Sequence, residues 1–235
     1  MSEEILINVT PQETRVAVVE NGMLQEVHIE RAGHRGIVGN IYKGKVARVL
    51  PGMQAAFVDI GLDRAAFLHA SDVHPLPVMA EVNGNGDGND DGAGTEVVTR
   101  HENRAPPPAI QTLLHEGQEI VVQVDKDPLG TKGARLTMQL TLPGRYLVYM
   151  PHSQHIGISQ KITDEDTRTR LRTFMQSMVG ENEDGGFILR TLSEAATEDE
   201  LEADIRYLRR TWQACRERIA TATAGSPIHE DLPLA

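Results

Sequence analysis

The chain has 235 residues, 40% hydrophobic and 24% charged, a composition typical of globular proteins. Its one cysteine excludes an intramolecular disulfide, and no Cys/His grouping has the spacing of a zinc site. No apolar run reaches the length of a membrane span, and no basic stretch followed by an apolar run marks a secretory signal. We therefore expect a cytoplasmic protein without a membrane span.

The net charge of −11 argues against a nucleic-acid partner, but the charge is unevenly distributed. Residues 37–72 carry four basic and three acidic side chains, a net of +1, whereas residues 73–108 carry two basic and six acidic ones, a net of −4. Phosphate affinity depends on the local face of a protein. RNA binding by residues 37–72 therefore stays open, and we expect the affinity to be weak.

Three short strands are predicted before residue 36. Ile5–Val9 and Arg15–Val19 are rich in β-branched residues, and Leu24–Ile29 alternates apolar and polar residues. Asn21-Gly22, between the second and third runs, supplies the positive φ angles of a tight turn. The sequence therefore predicts a hairpin at this position.

Five further runs predict a small barrel. They are separated by turn residues such as Pro51-Gly52, and five short strands of this kind favour a closed barrel without exposed edges. The runs are Ile41–Leu50, Ala55–Asp59, Ala65–Leu68, Glu119–Val124 and Gly133–Thr137.

An acidic segment interrupts the barrel sequence. Residues 82–96 are rich in Gly, Asn and Asp and hold too little apolar surface to offset the entropy of ordering, so we predict a disordered insertion over about 74–108. A Ca²⁺ loop is the weaker interpretation, because neither flanking helices nor the glutamate of an EF-hand loop is evident. Its candidate ligands are Asp87, Asp90 and Asp91.

The C-terminal part mixes strands and helices. Arg145–Met150 and Phe187–Arg190 are predicted strands, and residues 164–178 have one apolar helical face. The clearest helix is 198–220, which follows a capping box formed by Thr197 and Glu200. Its apolar stripe predicts a buried face, formed by Leu201, Ile205, Leu208, Trp212, Cys215 and Ile219.

Two aromatic residues suggest how the barrel could bind RNA. Phe57 and Phe67 fall on adjacent predicted strands, which could place both rings on one surface as a platform for stacked bases. Lys43, Lys45 and Lys132 could then meet phosphates beside them. Phenylalanine also commonly fills barrel interiors. The pattern alone leaves both interpretations open.

Longer motifs resemble a known family. Gly44-Lys-Val, Ala56-Phe-Val-Asp and Phe67-Leu-His-Ala-Ser are similar to an S1 RNA-binding domain. Asn40-Ile-Tyr-Lys-Gly-Lys and Gly130-Thr-Lys-Gly-Ala-Arg-Leu-Thr resemble the ribonuclease E/G family more specifically, and within it the ribonuclease G branch. The resemblance extends over nearly the whole chain except the acidic segment and the last residues.

The resemblance implies a fold and a division into domains. The fold is mainly β (α+β), with a five-stranded OB-type S1 barrel and a small α/β 5′-sensor region. Residues 1–36 resemble the start of an RNase H-like subdomain, 37–139 the S1 domain, and 140–235 the sensor region ending in a long helix.

The resemblance also implies ligand-binding residues. In the family the positions of Phe57, Phe67 and Lys132 contact single-stranded RNA, which favours the platform. A 5′-sensor region holds the 5′-monophosphate of that RNA. An arginine at a strand end offers a planar fork for phosphate, and a threonine adds a hydroxyl donor. The matching positions are Gly144, Val148, Arg190 and Thr191.

Catalysis is not expected from this chain. In the family the Mg²⁺-binding catalytic aspartates and the zinc-sharing cysteines of the homodimer or tetramer follow the segment matched here. We therefore expect no cofactor in this chain, few oligomer contacts and no cleavage by the chain alone. The parent activity implied is endonucleolytic cleavage in rRNA processing and mRNA decay. Acid pairs here suit solvated turns and helix faces better than a two-metal site. They are Asp125/Asp127, Asp164/Asp166 and Glu202/Asp204.

Two other functions remain open at this point. One is a stand-alone RNA-binding regulator that uses the same barrel without a nuclease. The other is a protein-interaction module in which Phe57 and Phe67 are core residues.

Overall fold

The computed structural model describes residues 2–73, 108–180, 185–232 and 234. It is mainly β, as predicted, with a closed five-stranded barrel followed by a small α/β region. The predicted insertion at 74–108 and its Ca²⁺-loop alternative lie outside the described residues, apart from Pro108. Within the described part, no helix is both long and apolar enough to span a membrane.

The chain begins with a three-stranded antiparallel sheet, formed by β1 (Glu3–Val9), β2 (Glu13–Glu20) and β3 (Met23–Arg31). The predicted hairpin turn is confirmed, because Asn21 and Gly22 have φ angles of 48° and 78°. Apolar side chains project from both faces and stay exposed: Ile7 is 58% and Val27 51% accessible. An apolar pattern on both faces is typical of a sheet that is covered on both sides.

The barrel confirms the predicted five strands. The strands are β4 (Ile41–Leu50), β5 (Ala55–Asp59), β6 (Ala66–His69), β7 (Glu119–Lys126) and β8 (Arg135–Thr137). They are joined in the order β4-β5-β6-β8-β7, and β7 pairs with β4 to close the barrel. Among these five strands only β6 and β8 pair in parallel. A short helix, α1 (Ile110–Leu113), precedes β7.

The α/β region is a four-stranded sheet packed against two helices. The strands are β9 (Leu142–Pro143), β10 (Leu147–Met150), β11 (Ile156–Ile158) and β12 (Gly186–Leu189). They lie in the sheet in the order β11-β12-β10-β9. The helices are α2 (Glu165–Met178) and α3 (Glu198–Thr221), and the predicted capping box at Thr197 and Glu200 is present. Most of the predicted α3 stripe is buried, at Leu201, Ile205, Leu208 and Cys215.

A last strand, β13 (Ser226–His229), leaves the α/β region and pairs antiparallel with β4 of the barrel. The N–H of Asp231 then donates to the Asn40 side chain at 2.9 Å. Strand β4 contributes Ile41 to the core of the α/β region and Tyr42 to the barrel core. The barrel and the α/β region therefore share strand β4, and the domain boundary at residue 139 stays a prediction.

Candidate nucleic-acid interface

Strands β5 and β6 present alternate side chains to the two sides of the barrel wall. Ala56 and Val58 of β5, with Leu68 of β6, are fully buried in the barrel core. Phe57 and Phe67 lie between these positions and are half-buried. Neither ring belongs to the core clusters of the described residues. The two phenylalanines therefore lie on the outside of the barrel and do not fill its interior.

The two rings form a pair across the strands. Phe57 lies opposite Phe67 in the β5–β6 register, and the ring centroids are 6.3 Å apart with an interplanar angle of 69°. Edge-to-face packing of this kind is a preferred geometry for neighbouring aromatic rings. Each ring still offers part of its surface to a ligand.

Basic residues extend the same row of the barrel wall. Arg48 is the register partner of Phe57 on β4, and Arg135 is the register partner of Phe67 on β8. The Arg135 guanidinium donates a hydrogen bond to the Asp72 carboxylate at 2.9 Å, and that hydrogen bond raises the pKa of Arg135. Sequence reasoning missed both arginines, because the strand register that aligns them with the rings joins separate parts of the chain.

The predicted lysines occupy different settings. Lys132 is exposed in the β7–β8 connection, where Arg64 donates to the carbonyl of Gly130 at 2.5 Å. Lys45 is exposed on β4 and lies opposite Asp59. Both stay predicted RNA contacts.

Lys43 is engaged inside the protein. Its ammonium donates to the carbonyl of Ala222, just beyond α3, at 2.9 Å. It also pairs with Glu119 at 3.1 Å, and its side chain is 19% exposed. These contacts compete with phosphate for the ammonium, and its role in RNA binding remains a prediction.

A second cluster brings Gly144 and Arg190 together. The N–H of Gly144 donates to the carbonyl of Leu147 at 2.7 Å and closes a tight turn before β10. Arg190 follows β12; its N–H donates to the Tyr146 carbonyl at 2.8 Å, and its guanidinium donates to the Gly144 carbonyl at 2.7 Å. The side chain of Arg190 therefore lies over the turn, with further N–H groups free of that bond.

Thr191 and Val148 differ in what they can offer a phosphate. Thr191 is exposed, and within the described part of the chain neither its N–H nor its hydroxyl has an intramolecular partner. Val148 is half-buried within β10, opposite Ile188 and Pro143. Val148 thus offers an apolar side chain, whereas Arg190 and Thr191 offer the polar donors.

Polar contacts of Tyr146, within this cluster, link it to Ser193 and to the start of α3. The hydroxyl of Ser193, fully buried, donates to the Tyr146 carbonyl at 2.7 Å. The Tyr146 hydroxyl donates to Glu200 at 2.7 Å, which raises the pKa of Tyr146. The Thr197 amide, followed by the Tyr146 hydroxyl, lowers the pKa of Glu200. Sequence reasoning assigned Glu200 only to a capping box and missed Ser193.

Residues 141–235 match the ribonuclease E/G family model. Ribonuclease G of Escherichia coli (strain K12) is 50% identical over 236 residues, covering 100% of this chain and 44% of that protein. The chain carries a ribonuclease E/G family domain. All four predicted phosphate-site residues lie within the span matched by the family model.

Two further ribonucleases are also similar to nearly the whole of this chain. Ribonuclease G of Haemophilus influenzae is 51% identical over 227 residues, covering 96% of this chain and 42% of that protein. Ribonuclease E of Escherichia coli (strain K12) is 35% identical over 232 residues, covering 97% of this chain and 20% of that protein. The chain thus spans less than half the length of these ribonucleases.

The resemblance implies Mg²⁺ and Zn²⁺ for a full-length ribonuclease, so we asked whether donor groups of this chain could hold them. No group of three or more His, Cys, Asp or Glu side chains among the described residues is placed to hold a metal ion. At least one member of each acid pair has a structural partner: Asp127 accepts from the Ile37 N–H, Asp164 caps α2, and Asp204 accepts from the Tyr146 N–H. The described residues therefore do not fit either metal site.

Proposed function

We propose that this chain binds single-stranded RNA at two places, with the strand on the barrel and its 5′-monophosphate at Arg190 and Thr191. The observation that carries the proposal is the outward-facing Phe57–Phe67 pair, flanked in register by Arg48 and Arg135. The names of the relatives, ribonuclease G and ribonuclease E, support RNA as the ligand.

The barrel face suits bases and phosphates together. A half-buried ring keeps a fixed position and still offers its surface to a base, and base stacking contributes roughly 1–3 kcal/mol per base whatever the sequence. Arg48, on β4, carries an exposed charge that a neighbouring phosphate can approach, and so does Lys132 in the β7–β8 connection. The arrangement favours single-stranded RNA, because paired bases cannot turn their faces to the protein.

The cluster at Arg190 suits a terminal phosphate. A 5′-monophosphate carries about −1.5 to −2 charge near pH 7 and three strong acceptor oxygens, whereas a 5′-hydroxyl carries none of that charge. The guanidinium of Arg190 supplies a planar set of donors, and Thr191 adds an N–H and a hydroxyl that have no partner among the described residues. Binding at this cluster should therefore distinguish the two kinds of RNA end.

In a longer ribonuclease the two sites would hold RNA for cleavage by another part of the enzyme. We extend the proposal to that activity, Mg²⁺-dependent endonucleolytic cleavage, and to rRNA processing and mRNA decay as its setting. A homodimer or tetramer linked by Zn²⁺ belongs to the same proposal. No step of that chemistry is assigned to the residues described above.

The test of the barrel platform compares Phe57→Ala and Phe67→Ala with the unchanged chain in fluorescence anisotropy on a short 5′-hydroxyl RNA. We expect each variant to bind about tenfold more weakly, the loss of roughly one stacked base. Tyr207→Ala is the matched control, because Tyr207 is a 38% exposed aromatic residue on α3. Equal binding by all four proteins would refute the platform and favour a protein partner for this face.

A further inference from the structure

Asp204, in the second turn of α3, is a buried carboxylate beneath the candidate phosphate site. It is 9% exposed and accepts hydrogen bonds from three consecutive backbone N–H groups. Those of Tyr146 and Leu147 reach Oδ2 at 2.9 Å, and that of Arg145 reaches Oδ1 at 3.2 Å. Hydrogen bonds to an ionised carboxylate are roughly twice as strong as neutral ones. A single side chain of α3 thus fixes the backbone of the whole turn.

The carboxylate also explains the glycine of this turn. A Cβ atom added at Gly144 would lie 2.6 Å from Oδ2 and 2.7 Å from Oδ1 of Asp204. Asp204 therefore occupies the space that a side chain at position 144 would need. With the N–H groups of the turn directed at Asp204, the Gly144 carbonyl is free to accept from Arg190, at 2.7 Å.

We infer that Asp204 is a positioning residue of the 5′-phosphate site: it holds the turn whose Gly144 carbonyl orients the Arg190 guanidinium. The inference rests on the proposed function of Arg190. The inference and simple electrostatics predict opposite effects on phosphate binding when the charge of Asp204 is removed. Removing a negative charge near an anion site should strengthen phosphate binding by Coulomb's law, whereas loss of the positioning contact should weaken it.

The experiment measures the affinities of Asp204→Asn for 5′-monophosphate and 5′-hydroxyl forms of one RNA by anisotropy. We expect the monophosphate-to-hydroxyl ratio to fall about tenfold, as for loss of a charge-assisted hydrogen bond, with hydroxyl binding unchanged. Glu202→Gln is the matched control on the same helix, because it loses the same charge from a side chain whose one ion pair among the described residues is with Arg206, at 3.8 Å. Its ratio should not fall.

A second variant separates position from charge. Gly144→Ala keeps the Asp204 charge but pushes the carboxylate aside, so the ratio should fall here as well. Trp212, the single tryptophan, lies half-buried on α3 against His152, and its emission reports whether α3 stays packed in each variant. An unchanged or raised ratio in folded Asp204→Asn overturns the inference and leaves the sensor standing. Equal affinities of the unchanged chain for both RNAs overturn the proposed sensor and the inference with it.

Discussion

Replacement of Lys43 by methionine tests whether this lysine serves the fold or the RNA. The last carbonyl groups of an α-helix lack intrahelical partners. Lys43 donates to the carbonyl of Ile219, in the last turn of α3, at 3.5 Å and to that of Ala222, just beyond α3, at 2.9 Å. It also pairs with Glu119 at 3.1 Å. The ammonium thus links the barrel strand β4 to the C-terminal end of α3.

The magnitude follows from these contacts. A cation at a helix C-terminus contributes typically 0.3–1 kcal/mol, and a hydrogen bond from a charged donor about 1.5–3 kcal/mol. Methionine keeps the apolar stem of Lys43, and Glu119 is exposed enough to be solvated. We therefore expect Lys43→Met to lower the free energy of unfolding by about 2 kcal/mol, equivalent to roughly 4–8 °C in Tm for a chain of this size.

Urea unfolding followed by Trp212 fluorescence measures this loss, and RNA anisotropy on the folded variant measures binding. Lys45→Met is the matched control, because Lys45 is exposed on the same strand, and its stability should change by less than about 0.5 kcal/mol. Unchanged stability of Lys43→Met, together with weaker RNA binding, would refute the structural role and assign Lys43 to phosphate contact.

Three further results are expected. Arg48→Gln should reduce the slope of log affinity for RNA against log salt concentration by about 0.7. Arg172 is exposed on α2, and Arg172→Gln should leave the slope unchanged. Equal slopes for the two variants would remove Arg48 from the interface. Because the folded-state pKa of Glu200 is lowered, its contribution to stability is present above about pH 4.3 and is lost as the pH falls through the folded-state pKa. In urea unfolding, Glu200→Gln should therefore lose less stability on acidification than the unchanged chain. An identical pH profile for the two proteins would contradict this. Because both faces of the β1–β3 sheet expose apolar side chains, sedimentation should show that the chain self-associates, and the double variant Ile7→Lys, Val27→Lys should associate less. A monomeric unchanged chain at all concentrations would contradict self-association through this sheet.

The local parts of the fold could be predicted from the sequence because their signals are local. The hairpin at Asn21-Gly22 depends on two residues that accept positive φ, and α3 begins at a capping box that spans four residues. The barrel strands are short apolar runs between turn residues. In each case the information lies within a few residues of the structure it determines.

The missed features all depend on contacts between distant segments. Strands β13 and β4 pair although more than 180 residues separate the paired positions in the sequence, and no turn residues predict that pairing. Arg48 joins the phenylalanine row only through the register of β4 and β5. Asp204 occurs in the sequence as one of several acids on a helix, and only the packing of α3 against the Gly144 turn gives it a partner. Family resemblance supplied Arg190 and Thr191, which the residue pattern alone would have left as surface residues.

The central claim is that this chain binds RNA and distinguishes its 5′ end. The most direct measurement is fluorescence anisotropy of one short single-stranded RNA, with a 5′-monophosphate and with a 5′-hydroxyl, over a range of salt concentrations. We predict tighter binding of the monophosphate by the unchanged chain and by Arg172→Ala, and equal binding of both RNAs by Arg190→Ala. Equal affinities for the unchanged chain would contradict the sensor, and no binding at low salt would contradict RNA binding by this chain altogether.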